Sequence, residues 1–190
     1  MDESSRQAWI RATLEQYEQP LMRYAVRHTG CVELAREVVQ DTFLKLWQKD
    51  RASVDGHLAP WLYTVCRNRA VDVRRKERRM KTLEYVPGNR ESGTGNRSDG
   101  ELDAGSRGPH SEQRERHAAM FGALKQLSDK QQEAVRLKFQ SGLSYREIAE
   151  VMDITVNHVG VLLHNALKAI RDRITTSDEG EQPLIHEQTR

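Results

Sequence analysis

The segment from residue 86 to residue 111 constrains the fold of this chain more than any other feature of the sequence. It contains six Gly, two Pro and four Ser, and its only strongly apolar side chains are Val86 and Leu102. Such a composition buries too little apolar surface to offset the entropy lost on ordering. We therefore expect a disordered linker that divides the chain into two separate domains.

Both domains are expected to be helical. Outside the linker, apolar residues recur with the 3.6-residue period of a helix, and the alternation typical of strands is absent. The expected fold class is therefore all-α, with two helical domains. Both domains should be small, because a chain with 37% apolar and 31% charged residues allows no large core. The predicted boundaries are 9–81 for the first domain, 82–113 for the linker, 114–174 for the second domain and 175–190 for an acidic flexible tail.

Three helices are predicted in the first domain. The first spans roughly residues 9–28 and would bury Leu14, Tyr17, Leu21, Tyr24 and Ala25. The second would bury a stripe made of Leu34, Ala35, Val38, Val39, Phe43, Leu46 and Trp47. The third begins at Pro60, a favourable first-turn residue, and would bury Leu62, Val65, Cys66, Val73 and either Ala70 or the stem of Arg69.

A helix-turn-helix is predicted over residues 143–163 in the second domain. Its first helix should begin at a capping box of Ser144 and Glu147, and a similar box of Ser128 and Gln131 should open the preceding helix, which Gly142 would end. The turn would contain Asp153, which tolerates left-handed backbone, and Ile154, with Thr155 as the next cap. Residues expected to pack the two helices are Ile148, Ala149, Ile154, Val159 and Leu163. The motif is typical of DNA-binding proteins, although an ordinary helical hairpin gives the same pattern.

A basic helical face lies at the end of the first domain. Residues 67–81 hold eight Lys or Arg against Asp72 and Glu77. A single solvent-facing side can be shared by Arg67, Asn68, Arg74, Arg75 and Arg78. This face could neutralise nucleic-acid phosphates, or it could serve solubility alone. The aromatic residues Trp61 and Tyr63 offer surfaces on which an unpaired base could stack.

The outward side of the second helix has a different chemistry. It would show Glu37, Gln40, Asp41 and Leu44, a mixture of acidic, amide and apolar side chains that is unsuited to phosphate. We expect this face to be either solvated surface or a contact with another protein.

Metal-binding and catalytic motifs are absent from the sequence. Cys31 and Cys66 lack metal-ligand spacing and are expected to be small buried side chains, while His158 and His164 are six residues apart, which does not place them on one helix face. There is no phosphate-binding loop, zinc-protease motif or nucleophile elbow. We expect no catalytic residue, metal or cofactor. The lack of a long apolar run and of a secretory signal indicates a cytoplasmic protein without a membrane partner.

Two parts of the chain resemble one family of transcription factors. "ELAREVVQDTFLKLWQ" and "WLYTVCRNRAVDVRRKERR" are similar to the signature helices of sigma region two, and the stretch from "LKQLSDKQQEAV" to "KAIRDRI" is similar to sigma region four. In this order, with a linker between them, they resemble the extracytoplasmic-function group of the sigma-70 family. The resemblance implies a sigma factor that binds bacterial core RNA polymerase and promoter DNA. The alternative is a helix-turn-helix regulator that acts without polymerase.

The resemblance also implies roles for residues of the first domain. The clamp helices of core polymerase would be gripped by Glu37, Gln40, Asp41 and Leu44. The opened minus-ten promoter element would be captured by Trp61, Arg67, Asn68, Arg74 and Arg75. The loop "DRASVDGHLAP", residues 50–60, corresponds to the part that holds a flipped base, without assignment of individual residues.

In the second domain, the resemblance implies that the helix containing "SDKQQEAVRLKF" docks on the polymerase flap and the last helix enters the major groove of the minus-thirty-five element. Relatives usually carry Lys, Ser and Arg where this chain has Gly160, Val161 and Leu162. The residues expected at this DNA are Arg146, Thr155, Asn157, His158, Val161, Lys168 and Arg171. The alternative is that Val161 and Leu162 pack against another helix or a partner. An anti-sigma protein is a further possible partner, and the acidic tail could be idle or could shield the basic surfaces.

Overall fold

The computed structural model of the chain describes residues 3–83, 122, 124 and 126–178. These residues are almost entirely helical, and no strand occurs among them. The predicted all-α fold class is therefore confirmed. Of the linker predicted over residues 82–113, residues 82 and 83 belong to a helix, and residues 84–113, like the part of the tail after residue 178, lie outside the described residues.

The helices follow the predicted order, with some shifted ends. Their bounds are α1 Glu3–Thr29, α2 Val32–Trp47, a 3₁₀ turn Arg51–Ser53, α3 Leu58–Leu83, α4 Asp129–Phe139, α5 Tyr145–Met152 and α6 Val156–Asp178. α1 begins before the predicted residue 9. α3 and α6 continue past residues 81 and 174, the predicted ends of the two domains.

The described residues pack as two compact units. One contains residues 3–83 together with 137–156. The other contains residues 122, 124 and 126–136 together with 157–178. The first unit therefore includes α5, which contacts α3. Because this division does not follow the predicted second domain, the domain boundaries 114–174 stay a prediction.

The core of the first unit lies where α1, α2 and α3 contact one another. Tyr24 of α1 meets Tyr63 of α3 edge to face, with ring centroids 5.2 Å apart, a favoured aromatic geometry. The other core side chains include Leu21, Ala25, Ala35, Val38, Val39, Phe43, Leu46, Leu62, Cys66, Ala70 and Val73. Most of the stripe predicted for α2, and much of those predicted for α1 and α3, is thus buried as expected.

Some residues expected in the core are not fully buried: Tyr17, Leu34 and Val65 are partly exposed, and two others lie at the surface. Leu14 is 38% exposed and Trp47 is 41% exposed. Thr13 is buried in place of Leu14, because its hydroxyl donates a hydrogen bond to the carbonyl of Trp9 at 2.9 Å and so meets its own polar requirement inside the helix. Both displaced side chains lie instead along a surface groove described below.

Tyr63 and Cys31 also differ from expectation. Tyr63 is buried, so its ring offers no stacking surface for a base. Cys31 is half-buried at the start of α2, where its thiol donates to the Glu33 carboxylate at 2.9 Å. Cys66 is buried as predicted, and loss of solvation raises the pKa of its thiol to about 12.

Most of the signals for helix ends in the second half of the sequence are confirmed, and the cap at Thr155 stays a prediction. Both capping boxes form, one between Ser128 and Gln131 and one between Ser144 and Glu147. Gly142 follows α4 with a φ of 70°. Asp153 takes the left-handed conformation with a φ of 54° and ends α5, and three residues separate α5 from α6. No described helix is long and apolar enough to cross a membrane.

The capping box at Ser144 gives a stability test. Ser144→Ala and Ser144→Gly both remove the acceptor of the Glu147 amide. The alanine variant should lower the free energy of unfolding by about 1 kcal/mol and the glycine variant by only a few tenths, since glycine is favoured at a helix N-cap. Urea unfolding followed by circular dichroism measures both values. No measurable loss in Ser144→Ala would show that the cap does not stabilise α5.

Candidate functional site

A groove of about 380 Å³ runs between α1 and α2. Its apolar walls include the displaced residues Leu14 and Trp47, together with Leu44, which is 53% exposed. The full lining is Ile10, Leu14, Glu18, Met22, Arg36, Val39, Gln40, Phe43, Leu44 and Trp47. Exposed apolar surface of this kind marks contact sites for other molecules.

The groove follows from the spacing of residues on its two helices. α1 contributes side chains at intervals of four residues from Ile10 to Met22, and α2 contributes Arg36, Gln40 and Leu44 at the same interval. Residues four apart lie on one helix face, so two rows of side chains line the groove. An elongated apolar groove between two helices suits the apolar face of a third helix.

The four residues predicted to contact polymerase do not share one environment. Gln40 and Leu44 line the groove, and Glu37 is exposed on α2. Asp41 is partly buried and accepts a hydrogen bond from Arg69 of α3 at 2.5 Å. Asp41 therefore ties α2 to α3, a role that the sequence analysis missed because nothing local relates residues 28 positions apart.

The basic face predicted on α3 is present. Asn68, Arg74, Arg75 and Arg78 are exposed, and Arg67 is half-exposed. These residues recur at intervals of three, four and seven, which places them along one side of the helix. Upstream, Trp61 is partly accessible, whereas Tyr63 is buried.

The loop that joins α2 to α3 is folded by its own hydrogen bonds. The Asp50 carbonyl accepts from the Ser53 amide at 3.0 Å and from the Ser53 hydroxyl at 2.6 Å. Val54 is buried beneath the loop, and Gly56 has a φ of 80° that an L-residue rarely adopts. Ser53, Asp55 and His57 are exposed, so the loop presents polar side chains outward.

Two adjacent apolar residues of α6, Val161 and Leu162, differ in their exposure to solvent. Leu162 is only 9% exposed, like its buried neighbours Val159 and Leu163, whereas Val161 is 57% exposed. The packing alternative is therefore correct for Leu162, and Val161 remains available to a partner. A Cβ added at Gly160 would meet nothing within 4 Å, so the described residues give no packing reason for glycine.

The remaining residues predicted at duplex DNA are exposed. Arg146 lies in α5, and Thr155 directly precedes α6. The exposed residues of α6 in this set are Asn157, His158, Lys168 and Arg171. Among the described residues, no group of three or more His, Cys, Asp or Glu is arranged to hold a metal ion.

Family comparisons match both halves of the chain. Sigma-70 region 2 matches residues 13–80, and Sigma-70, region 4 matches residues 118–170. Together these matches include most of the groove, the basic face of α3, the loop between α2 and α3, and most of the exposed side of α6.

Individual proteins are similar over most of the chain. The ECF RNA polymerase sigma factor SigL of Mycobacterium tuberculosis is 31% identical over 170 residues, which cover 86% of this chain and 88% of SigL. The RNA polymerase sigma factor YlaC of Bacillus subtilis is 30% identical over 169 residues, covering 88% and 92%. The fold is similar to that of the sigma factor RpoE from Bartonella quintana, solved with the anti-sigma factor NepR, with a TM-score of 0.58, 22% identity and coverage of 87% and 96%.

The ion pair between Asp41 and Arg69 gives a further stability test. Asp41→Ala should lower the free energy of unfolding by up to about 1 kcal/mol, since both side chains keep some contact with solvent. Glu37→Ala, an exposed carboxylate on the same helix, should change it by less than about 0.5 kcal/mol. Urea unfolding at low and high salt measures the difference, and the same salt-independent loss in both variants would exclude the structural role.

Proposed function

The chain belongs to the extracytoplasmic-function group of the sigma-70 family, and we propose that it directs RNA polymerase to promoters through three separate surfaces. The groove between α1 and α2 binds a helical element of core polymerase. The basic face of α3 and the loop before it hold the opened minus-ten element. The exposed side of α6 reads the minus-thirty-five element as duplex DNA.

The groove carries this proposal, because it joins exposed apolar surface to two residues matched to polymerase contacts. Leu44 projects an apolar side chain at its edge, and Gln40 supplies an amide for hydrogen bonds. Glu37 extends the same side of α2 with a carboxylate that can meet basic residues of the partner. Asp41 contributes less directly, by holding α2 in place through Arg69.

Capture of the minus-ten strand is proposed to rely on charge and stacking. Arg74 and Arg75 are exposed for contacts with phosphates, and Asn68 can hydrogen-bond to an unstacked base. Trp61 provides a partly accessible ring near the start of α3. An extrahelical base held by the neighbouring loop would offset part of the cost of opening the duplex.

Recognition of the minus-thirty-five element is proposed to depend less on charge than on shape and hydrogen bonds. Asn157 can pair with adenine, and the exposed Val161 methyl groups can contact thymine. Lys168 and Arg146 would contact phosphates beside the groove. Binding to polymerase makes the second DNA contact effectively intramolecular, so two weak DNA-binding surfaces act as one reader.

We propose that the chain has no catalytic activity of its own and acts in the cytoplasm, where polymerase and promoters are. An anti-sigma protein is proposed as an additional partner that would compete for the groove. A regulator working without polymerase is not favoured, because the family match includes all of α2 and most of α3.

Replacing Leu44 tests the polymerase surface. Leu44→Asp should weaken binding to purified core polymerase at least about tenfold, because a carboxylate would be desolvated in an apolar groove. Met80→Asp is the matched control, since Met80 is 54% exposed compared with 53% for Leu44 and lies at the far end of α3. Fluorescence titration of labelled factor gives both affinities. Equal affinities for the two variants would overturn the proposed surface.

Replacing Arg75 tests the minus-ten surface. The DNA would be the non-template strand of a promoter found by sequencing RNA ends after overexpression of the factor. With holoenzyme, Arg75→Ala should reduce the slope of log affinity against log salt by about 0.7, the contribution of one phosphate contact on a single strand. Arg11→Ala removes an exposed arginine from α1 and should leave the slope unchanged. An unchanged slope for Arg75→Ala contradicts the phosphate contact.

A further inference from the structure

Side chains from the first turns of α1 contact the loop between α2 and α3. Arg6 donates through Nη2 to the Trp47 carbonyl at the end of α2, and the same nitrogen lies 3.4 Å from the Lys49 carbonyl. Its guanidinium also lies over the Trp47 ring, 5.6 Å from the centroid. One side chain therefore contacts the end of α2 and the residue just before the loop turns.

A second contact joins the loop to α1. The Arg51 guanidinium lies over the Trp9 ring, 5.8 Å from its centroid. Arg51 begins the 3₁₀ turn, and its carbonyl accepts a hydrogen bond from the amide of the buried Val54. The Val54 carbonyl in turn accepts from the His57 amide. Contacts from Arg6 and Trp9 thus reach both the entrance of the loop and the turn that shapes its exposed part.

Arg6 is better suited to fixing geometry than to stabilising the fold. The last carbonyls of a helix attract a cation, and the planar guanidinium can approach two carbonyls and a ring at once. Yet Arg6 Nε is buried and makes no hydrogen bond within the described part of the chain, an arrangement that costs free energy. A methionine could retain the packing of the stem while removing this cost and both carbonyl contacts.

We propose that Arg6 is a positioning residue for recognition of the flipped base, and that it acts by holding residues 48–57 in the conformation that receives the base, assisted by Trp9 and Arg51. This inference rests on the proposed function, which assigns the loop to the minus-ten element. It adds the start of α1, distant in sequence from the loop, to the structure that determines promoter specificity. Arg6 itself need not touch DNA.

Hydrogen exchange of the full chain tests the structural step. Arg6→Met should speed exchange of the Ser53, Val54 and His57 amides roughly fivefold or more, because these hydrogen bonds lie in the held loop. The melting temperature should stay within about 2 °C of the wild-type value. Arg11→Met removes the same charge from an exposed site on α1 and should change neither quantity.

Selection from a pool of single-stranded DNA tests the functional step. Holoenzymes containing wild-type, Arg6→Met or Arg11→Met factor would each select from a pool with a randomised central segment, and bound strands would be sequenced. The wild type and Arg11→Met should enrich the same motif. Arg6→Met should lose roughly fivefold or more of the enrichment at one position and keep it at the others, with unchanged affinity for core polymerase.

Each result has a distinct meaning. If the wild-type holoenzyme enriches no motif, the proposed minus-ten function fails. If Arg6→Met enriches the wild-type motif with equal strength, only the positioning role is overturned. A uniform loss at all positions with weaker polymerase binding would also overturn it, as a general structural defect. Should Arg6→Met not fold, Arg6→Lys decides by the same two measurements, since a lysine keeps the charge and most of the stem but lacks the planar guanidinium that contacts two carbonyls and a ring.

Discussion

The burial of one side of α2 against α1 and α3 is the constraint on which the surfaces of the first unit depend. Ala35, Val38 and Leu46 have no exposed surface, so rotation of α2 about its axis would bring apolar side chains into water. The opposite side is then fixed outward, with Gln40 and Leu44 at the groove. The Asp41 ion pair adds a polar tie to the same helix orientation.

Local patterns in the sequence predicted most of the helices and their ends. The stripe of α2 and the two capping boxes depend on residues three or four apart, so their physical basis lies within a single turn. The left-handed Asp153 follows from the short distance between α5 and α6 in the same way. Local spacing does not determine which side chains contact residues distant in the sequence. The spacing of Leu14 and Thr13 alone does not say which of two adjacent side chains faces the core, and a hydroxyl that bonds to its own helix can replace a leucine there.

The residues of the candidate site likewise divide into those predictable from local spacing and those placed by long-range contacts. The exposed residues of α3 were predictable because eight basic side chains cannot be buried together, and Leu44 was predictable as the apolar exception on an outward face. Arg69 and Arg6 were not, since their partners lie 28 and 41 residues away, and only the folded chain brings them together. In α6, helical spacing left two adjacent apolar residues ambiguous, and packing resolved them by burying Leu162 and exposing Val161.

The two cysteines differ in a way that bears on oxidative stress. Peroxides react with thiolates, and at neutral pH the buried Cys66, with a pKa raised to about 12, is almost entirely protonated. Cys31 is the more accessible sulfur, at the residue that precedes α2. The thiol that solvent can reach therefore lies at the entrance of the helix that bears Leu44, whereas the thiol in the centre of the bundle is shielded.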